Sequence, residues 1–216
     1  MSAVASPFGF RPAQHWSGLD RARPYLVQNS YATAIYKGDP VAFGTTTALG
    51  TVIAGPTTGD LLGVLAGIQY FDINNKPTIS DYWPGAVTGA TVGVGPILPY
   101  SLTDAIAWVW DDPFTVYEAQ TDGTFSAVTN ISTASAFLPG VIGKQMNCVN
   151  VSAGSTMTGL SAAKLAGSTV TASGAQAQFR VLQAGEQVDN VFTSDTYVIF
   201  QVGIAQHHYV ANKTAI

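Results

Sequence analysis

Apolar and polar positions alternate with a period of two over much of this chain, the spacing of strands that bury one face. The clearest case is residues 197–206, where Val198, Phe200, Val202 and Ile204 share one face and Tyr197, Ile199 and Gln201 the other. Residues 105–110 alternate small and large: Ile106, Trp108 and Trp110 against Ala105, Ala107 and Val109. Ser101 with Asp104 resembles a helix N-cap pair, but the alternation beyond it favours a strand. Further strands are expected at 34–36, 41–43, 51–54, 80–83, 88–94, 114–120 and 177–182. Residues 61–71 form a longer apolar run broken by Gly63 and Gly67, positions that mark bulges or close backbone approach. Lys37-Gly38-Asp39-Pro40, Asn74-Asn75-Lys76-Pro77 and Pro84-Gly85 are turns. Asp122-Gly123 is the strongest hairpin signal, with 124–128 as its return strand.

This pattern predicts an all-β fold, a β-barrel or β-sandwich body with an extended Pro-rich N-terminal arm and little helix. Residues 1–30 carry Pro7, Pro12 and Pro24, which forbid a helix and interrupt ladder pairing. Phe8, Phe10, Trp16, Arg11, Arg21 and Arg23 are their candidate partner-binding anchors, and the aromatics must be buried on the parent domain or on a neighbouring subunit. Residues 31–128 read as a β-rich body. Residues 129–176, rich in Ser, Thr, Ala and Gly, read as an excursion loop or small subdomain with one helix-like turn at 160–165. Residues 177–216 read as C-terminal strands completing the body.

Composition narrows the function. The 216 residues are 47% apolar but only 10% charged, well under the roughly 25% of an ordinary soluble domain. Such a surface points to burial in an assembly or to a Ser/Thr/Gly-rich extracellular β protein. A net charge of −4 with scattered basic residues speaks against nucleic acid. No run of apolar residues reaches transmembrane length, and the first residues lack the layout of a signal peptide, so a chain made in a cytoplasm and not membrane-bound is expected.

Motifs that carry chemistry are sparse. His207 and His208 are adjacent and would face opposite ways on a strand, His15 lies on the arm, and no metal-ligand spacing occurs. Cys148 is the single cysteine and reads as a buried inert thiol. Asp111 and Asp112, with Glu118 beyond, could supply paired carboxylates, but Asp before Pro113 reads as a strand-entry turn. Gly93-Val94-Gly95 is followed by Pro96 and Pro99, which prevents a phosphate-binding helix. Asn130, Asn150 and Asn212 begin chance N-x-S/T triplets. No enzyme activity, metal or cofactor is expected.

Several segments together resemble the capsid decoration or cement-like structural proteins of tailed bacteriophages. They are Phe8-Gly9-Phe10-Arg11-Pro12, the stretch from Ser30 to Val41, Leu62-Gly63-Val64-Leu65-Ala66-Gly67, Asp81-Tyr82-Trp83-Pro84-Gly85, Asp111-Asp112-Pro113 with the strand after it, and 197–208. The resemblance implies a virion protein made in the host cytoplasm that binds the major capsid protein on the outside of the assembled head. It also implies a homo-oligomer, usually a trimer, and no nucleic-acid or membrane partner. The alternatives are another virion component of the tail or head completion, or a carbohydrate-binding β-sandwich with Tyr82, Trp83, Trp108 or Trp110 as stacking platforms.

Overall fold

A computed structural model describes residues 5–18, 20–28, 31–44, 50–72, 76–85, 105–123, 125, 140–170, 176–186, 190 and 197–210. The expected strand at 88–94, the Ser101–Asp104 pair, the 93–99 glycines and prolines, most of the return strand after Gly123, the first half of the 74–77 turn, and Asn130 and Asn212 lie outside these residues.

The fold is all-β and centres on a closed barrel. Its strands are β1 (Arg11–Gln14), β2 (Ala22–Val27), β3 (Ile35–Tyr36), β4 (Pro40–Phe43), β5 (Thr51–Ala54), β6 (Gly63–Phe71), β7 (Pro77–Ser80), β8 (Tyr82–Trp83), β9 (Ile106–Trp110), β10 (Val116–Gln120), β11 (Gln145–Met146), β12 (Cys148–Val149), β13 (Lys164–Leu165), β14 (Phe179–Ala184) and β15 (Ile199–Ile204). Strands β4, β5, β2, β9 and β6 pair in that order, and β4 pairs back onto β6 to close the ring, with β7 hanging on β6 as an outer edge. Four of these five junctions are antiparallel, and β2 runs parallel to β5. Val27, Val41, Val52, Leu65, Ile68, Ala107 and Val109, from all five strands, fill one core with Ile35, Leu62 and Trp83.

A second, antiparallel sheet, in the order β1-β10-β15-β14-β11, lies against the barrel. The core between them holds Phe10, Leu61, Val64, Tyr117, Phe179, Phe200 and Val202, with Trp110 packed against it. Strand β6 therefore serves both layers. Val64 points to the sheet and Leu65 into the barrel, which is why its sequence is a continuous apolar run rather than an alternation. On β15 the expected face, Val198, Phe200, Val202 and Ile204, is buried throughout.

Both meanings of a strand glycine occur in β6. A Cβ on Gly63 would sit 2.2 Å from the Trp110 carbonyl oxygen, and the register between β6 and β9 shifts between Leu65 and Gly67. Gly63→Ala must push two central strands apart, and overpacking of this kind costs about 2 kcal/mol. A lowering of Tm by about 5 °C for a chain of this size is expected in a thermal melt. An unchanged melt would mean that β6 and β9 separate freely.

The N-terminal segment is extended, as its prolines require, and its two strands belong to the sheets, β1 as an edge strand and β2 between β5 and β9. β1 pairs with β10 at Arg11↔Glu118, and β2 pairs with β9 at Ala22↔Trp110 through Leu26↔Ile106. Residues 140–170 supply Val141, Met146, Cys148, Ala163, Leu165 and Val170 to the core shared with β10, β14 and β15. The helix-like turn expected at 160–165 is instead extended: Ser161 bridges to Gly154, and β13 pairs with β12. Among the described residues helical backbone amounts to residues 140–141 and a 3-10 turn at Gly167–Thr169. No helix among them is long and apolar enough to cross a membrane.

Sheet and barrel are clasped together near the C-terminus. Leu61 N–H donates to the Gln206 carbonyl at 2.9 Å, and His208 N–H donates to the Leu61 carbonyl at 2.8 Å.

Candidate functional site

The six expected anchors divide sharply. Phe10 is 1% exposed, its ring stacked 4.3 Å from that of Phe179, and its N–H donates to the Gly38 carbonyl at 2.8 Å. This corrects its reading as a partner anchor: it takes the seat on the parent domain. The backbone turns inward at Gly9, whose φ of +73° and 2.8 Å approach of an added Cβ to Gly38 O leave no room for a side chain. Phe8 is half-buried, with the Arg11 guanidinium 4.6 Å above its ring. Arg11 also donates to Glu118 Oε2 from Nη2 at 2.6 Å and from Nε at 3.0 Å. Arg23 lies 3.4 Å from buried Asp111 Oδ2. Half of each of these two arginine side chains stays exposed. Arg21 is exposed just ahead of β2, and Trp16 is 80% exposed.

Trp16 is joined by a residue that sequence reasoning placed inside a strand. Phe114, expected as the first residue of the 114–120 strand, stands instead on the turn between β9 and β10 and is 67% exposed. Asp112 makes that turn: Oδ1 accepts the Phe114 N–H at 2.9 Å, and its carbonyl accepts the Thr115 N–H at 3.1 Å. The signal was in the sequence, because an Asp-Pro turn that bonds the second residue after the Asp holds that residue out of the ladder. Trp16 stands on the next turn along, after β1, where Gly18 N–H closes onto the His15 carbonyl at 2.9 Å. Pairing of Gln14 with Val116 brings the turns together. Trp16, Phe114, Gln14 and Val116 line a shallow, open groove of about 630 Å³.

His15 and Ser17 flank Trp16 in sequence, and with Asp112 they are the residue types of a nucleophilic relay. Ser17 Oγ is 2.6 Å from His15 Nδ1, and His15 Nε2 is 3.4 Å from Asp112 Oδ2. The arrangement does not work as one. Nδ1 also accepts the Ser17 N–H at 3.2 Å, and the Gly18 N–H is spent on the His15 carbonyl. The amides next to Ser17 that could stabilise an oxyanion are thus committed to the turn. The trio locks the turn.

The other candidate groups, Asp111, His207 and Cys148, are buried. The Tyr25 hydroxyl donates to Asp111 Oδ2 and lies 3.0 Å from the Tyr209 hydroxyl; burial first, then these hydrogen bonds, push it far above the usual tyrosine range. Asp111 is thus tied to Tyr25 and Arg23 while Asp112 caps a turn, so the two carboxylates do not share a cleft. His207 is buried, and desolvation lowers its pKa against the opposing pull of Asp111. His208 packs edge-on against Phe43. Cys148 is buried, its Sγ–H directed at Gln178 Oε1 at 3.1 Å, and burial pushes the thiol up to about 12, far from a nucleophile's range. Among the described residues no three His, Cys, Asp or Glu side chains are grouped to hold a metal.

The rings of a glycan platform are mostly covered. Trp83 is buried with Nε1–H donating to the Tyr31 carbonyl at 2.9 Å, Tyr82 stacks on Tyr36, and Trp110 packs on the core. Only Trp108 of the four is as much as 38% exposed. Compared with protein-family models, with curated proteins and with solved structures, the chain finds no match.

Proposed function

We propose that the chain is a capsid decoration (cement) protein of a tailed bacteriophage, a homo-oligomeric virion component that binds the outer surface of the assembled head. The Trp16–Phe114 groove is its grip on the major capsid protein. The observation that carries this reading is the pair of large aromatic rings, 80% and 67% exposed, held on hydrogen-bonded turns at one end of edge strand β1. Exposed rings on rigid backbone are what protein interfaces use as anchors. The chain's 10% charge suits a surface largely covered in an assembly, and the half-exposed Arg11 and Arg23 with exposed Arg21 suit carboxylates at a partner's rim.

The test is occupancy. Purified virions should contain the chain by mass spectrometry, and electron microscopy should place it on the head exterior; its absence from virions would sink the proposal. Trp16→Ala should weaken binding to heads lacking the protein by about 30-fold, as for a central anchor, while leaving the circular dichroism spectrum unchanged. Unchanged binding would remove Trp16 from the grip.

A further inference from the structure

Trp16 and Phe114 stand on different turns, yet one pair of side chains reaches both. The His15 ring lies against that of Trp16, centroids 5.6 Å apart, and only 6% of the His15 side chain is exposed. Its Nδ1 accepts from the Ser17 N–H, which leaves the ring proton on Nε2, a buried nitrogen without a hydrogen-bond partner that lies 3.4 Å from Asp112 Oδ2, its nearest charged group. The other oxygen of the same carboxylate takes the Phe114 N–H at 2.9 Å. Trp16, His15, Asp112 and Phe114 therefore form a continuous chain of contacts from the turn after β1 to the turn before β10.

We infer that His15 and Asp112 are the positioning residues of the docking face, a brace that holds the two exposed rings at fixed separation before any partner arrives. The inference rests on the docking role given to Trp16 and Phe114 and extends it. A ring that is 80% exposed has too few neighbours of its own to fix its rotamer. Left loose, it must be ordered at binding, and that ordering weakens affinity. His15 supplies the missing wall on one side of Trp16. The Asp112 carboxylate attracts the polarised Nε2–H of that wall across 3.4 Å and at the same time closes the Phe114 turn. Sequence separation hides the device, because the two residues meet only through β1–β10 pairing.

The test uses the full-length chain. Time-resolved fluorescence anisotropy is recorded for the wild type and for His15→Ala, Asp112→Asn and His15→Gln. The Trp16 contribution is isolated by subtracting the same protein carrying Trp16→Phe. Wild-type Trp16 should tumble with the whole molecule, and His15→Ala and Asp112→Asn should each add a fast component. Asp112→Asn is the diagnostic variant. It keeps an amide oxygen for the Phe114 N–H and is not in ring contact with Trp16, so loosening of Trp16 there reports the pair itself. His15→Gln can accept the Ser17 N–H and donate to Asp112, so it should restore the slow decay. Fast decay in the wild type, or slow decay in Asp112→Asn, would overturn the brace. Binding to heads lacking the protein, measured in parallel, should fall about tenfold in His15→Ala and Asp112→Asn. Full binding by a variant with a loosened Trp16 would also overturn it. An anisotropy response with no wild-type binding would instead leave the brace standing and remove the docking role.

Discussion

Phe10→Ala is expected to destabilise the folded chain by about 3–5 kcal/mol, the range for removing a buried aromatic ring. The ring is covered on one side by Phe179, stacked at 4.3 Å, and belongs to the core between sheet and barrel. That core cannot collapse onto the gap easily, because β10, β14 and β15 are tied to one another by ladder pairing. Urea denaturation of wild type and variant measures the difference directly. A loss under about 1 kcal/mol would mean that Phe10 rests on the surface and that residues 5–14 form a detachable arm. The same packing changes what a deletion can test. Removing residues 1–24 takes away Phe10, all of β1 and half of β2, so it is expected to unfold the body rather than to release a grip. Point substitution at Trp16 is the experiment that separates binding from folding.

Asp39→Asn is expected to abolish a pH dependence of stability worth roughly 3 kcal/mol. Asp39 is fully buried at the turn into β4, where Oδ1 accepts the Ser161 hydroxyl at 2.6 Å and Oδ2 the N–H groups of Tyr36 at 2.8 Å and Ser152 at 3.2 Å. Desolvation outweighs these three bonds and raises its pKa to about 6, against an ordinary value of 3.8. A carboxyl that binds its proton more tightly in the folded than in the unfolded state stabilises the fold fully below about pH 4. That contribution is lost as the pH rises through about 6. Asparagine has no proton to lose and can still bond these partners. The stability of Asp39→Asn relative to wild type should therefore rise by roughly 2.5 kcal/mol between pH 4 and pH 7 in denaturant titrations. A flat difference would show that water or a rearranged partner compensates the buried charge.

Much of the fold was legible because period-two alternation and turn chemistry are local. The expected strand at 51–54 and the apolar face of β15 appear where the residues place them. Closure was not legible. The pairing of β4 with β6, of β2 with β5 and of β1 with β10 depends on which distant strands meet, and nothing in a single strand's pattern encodes its neighbour. Proline misled in one respect. Pro12 and Pro24 were read as interrupting pairing, yet Pro12 stands in β1 at the sheet's edge, where a missing N–H costs no ladder bond, and Pro24 is accommodated within β2. Half of the groove was legible. Trp16 is a large aromatic beside a glycine turn, but Phe114 was assigned to the strand because its turn bond to Asp112 outranks its strand propensity.

The sheet's strand order has a consequence for how the chain is made. β1 is completed by β10, and β10 in turn by β15: Arg11 lies opposite Glu118, and Glu118 opposite Gln201. While the chain is on the ribosome, β10 emerges long before β15, so for much of synthesis its Val116–Gln120 edge has only β1 to pair with. Such long-range closure is slow, and open edges recruit other nascent chains. Chains truncated between residues 121 and 198 therefore end with the same gap in the sheet, an interior strand left as an edge. Premature termination in this protein should yield aggregates rather than smaller soluble domains.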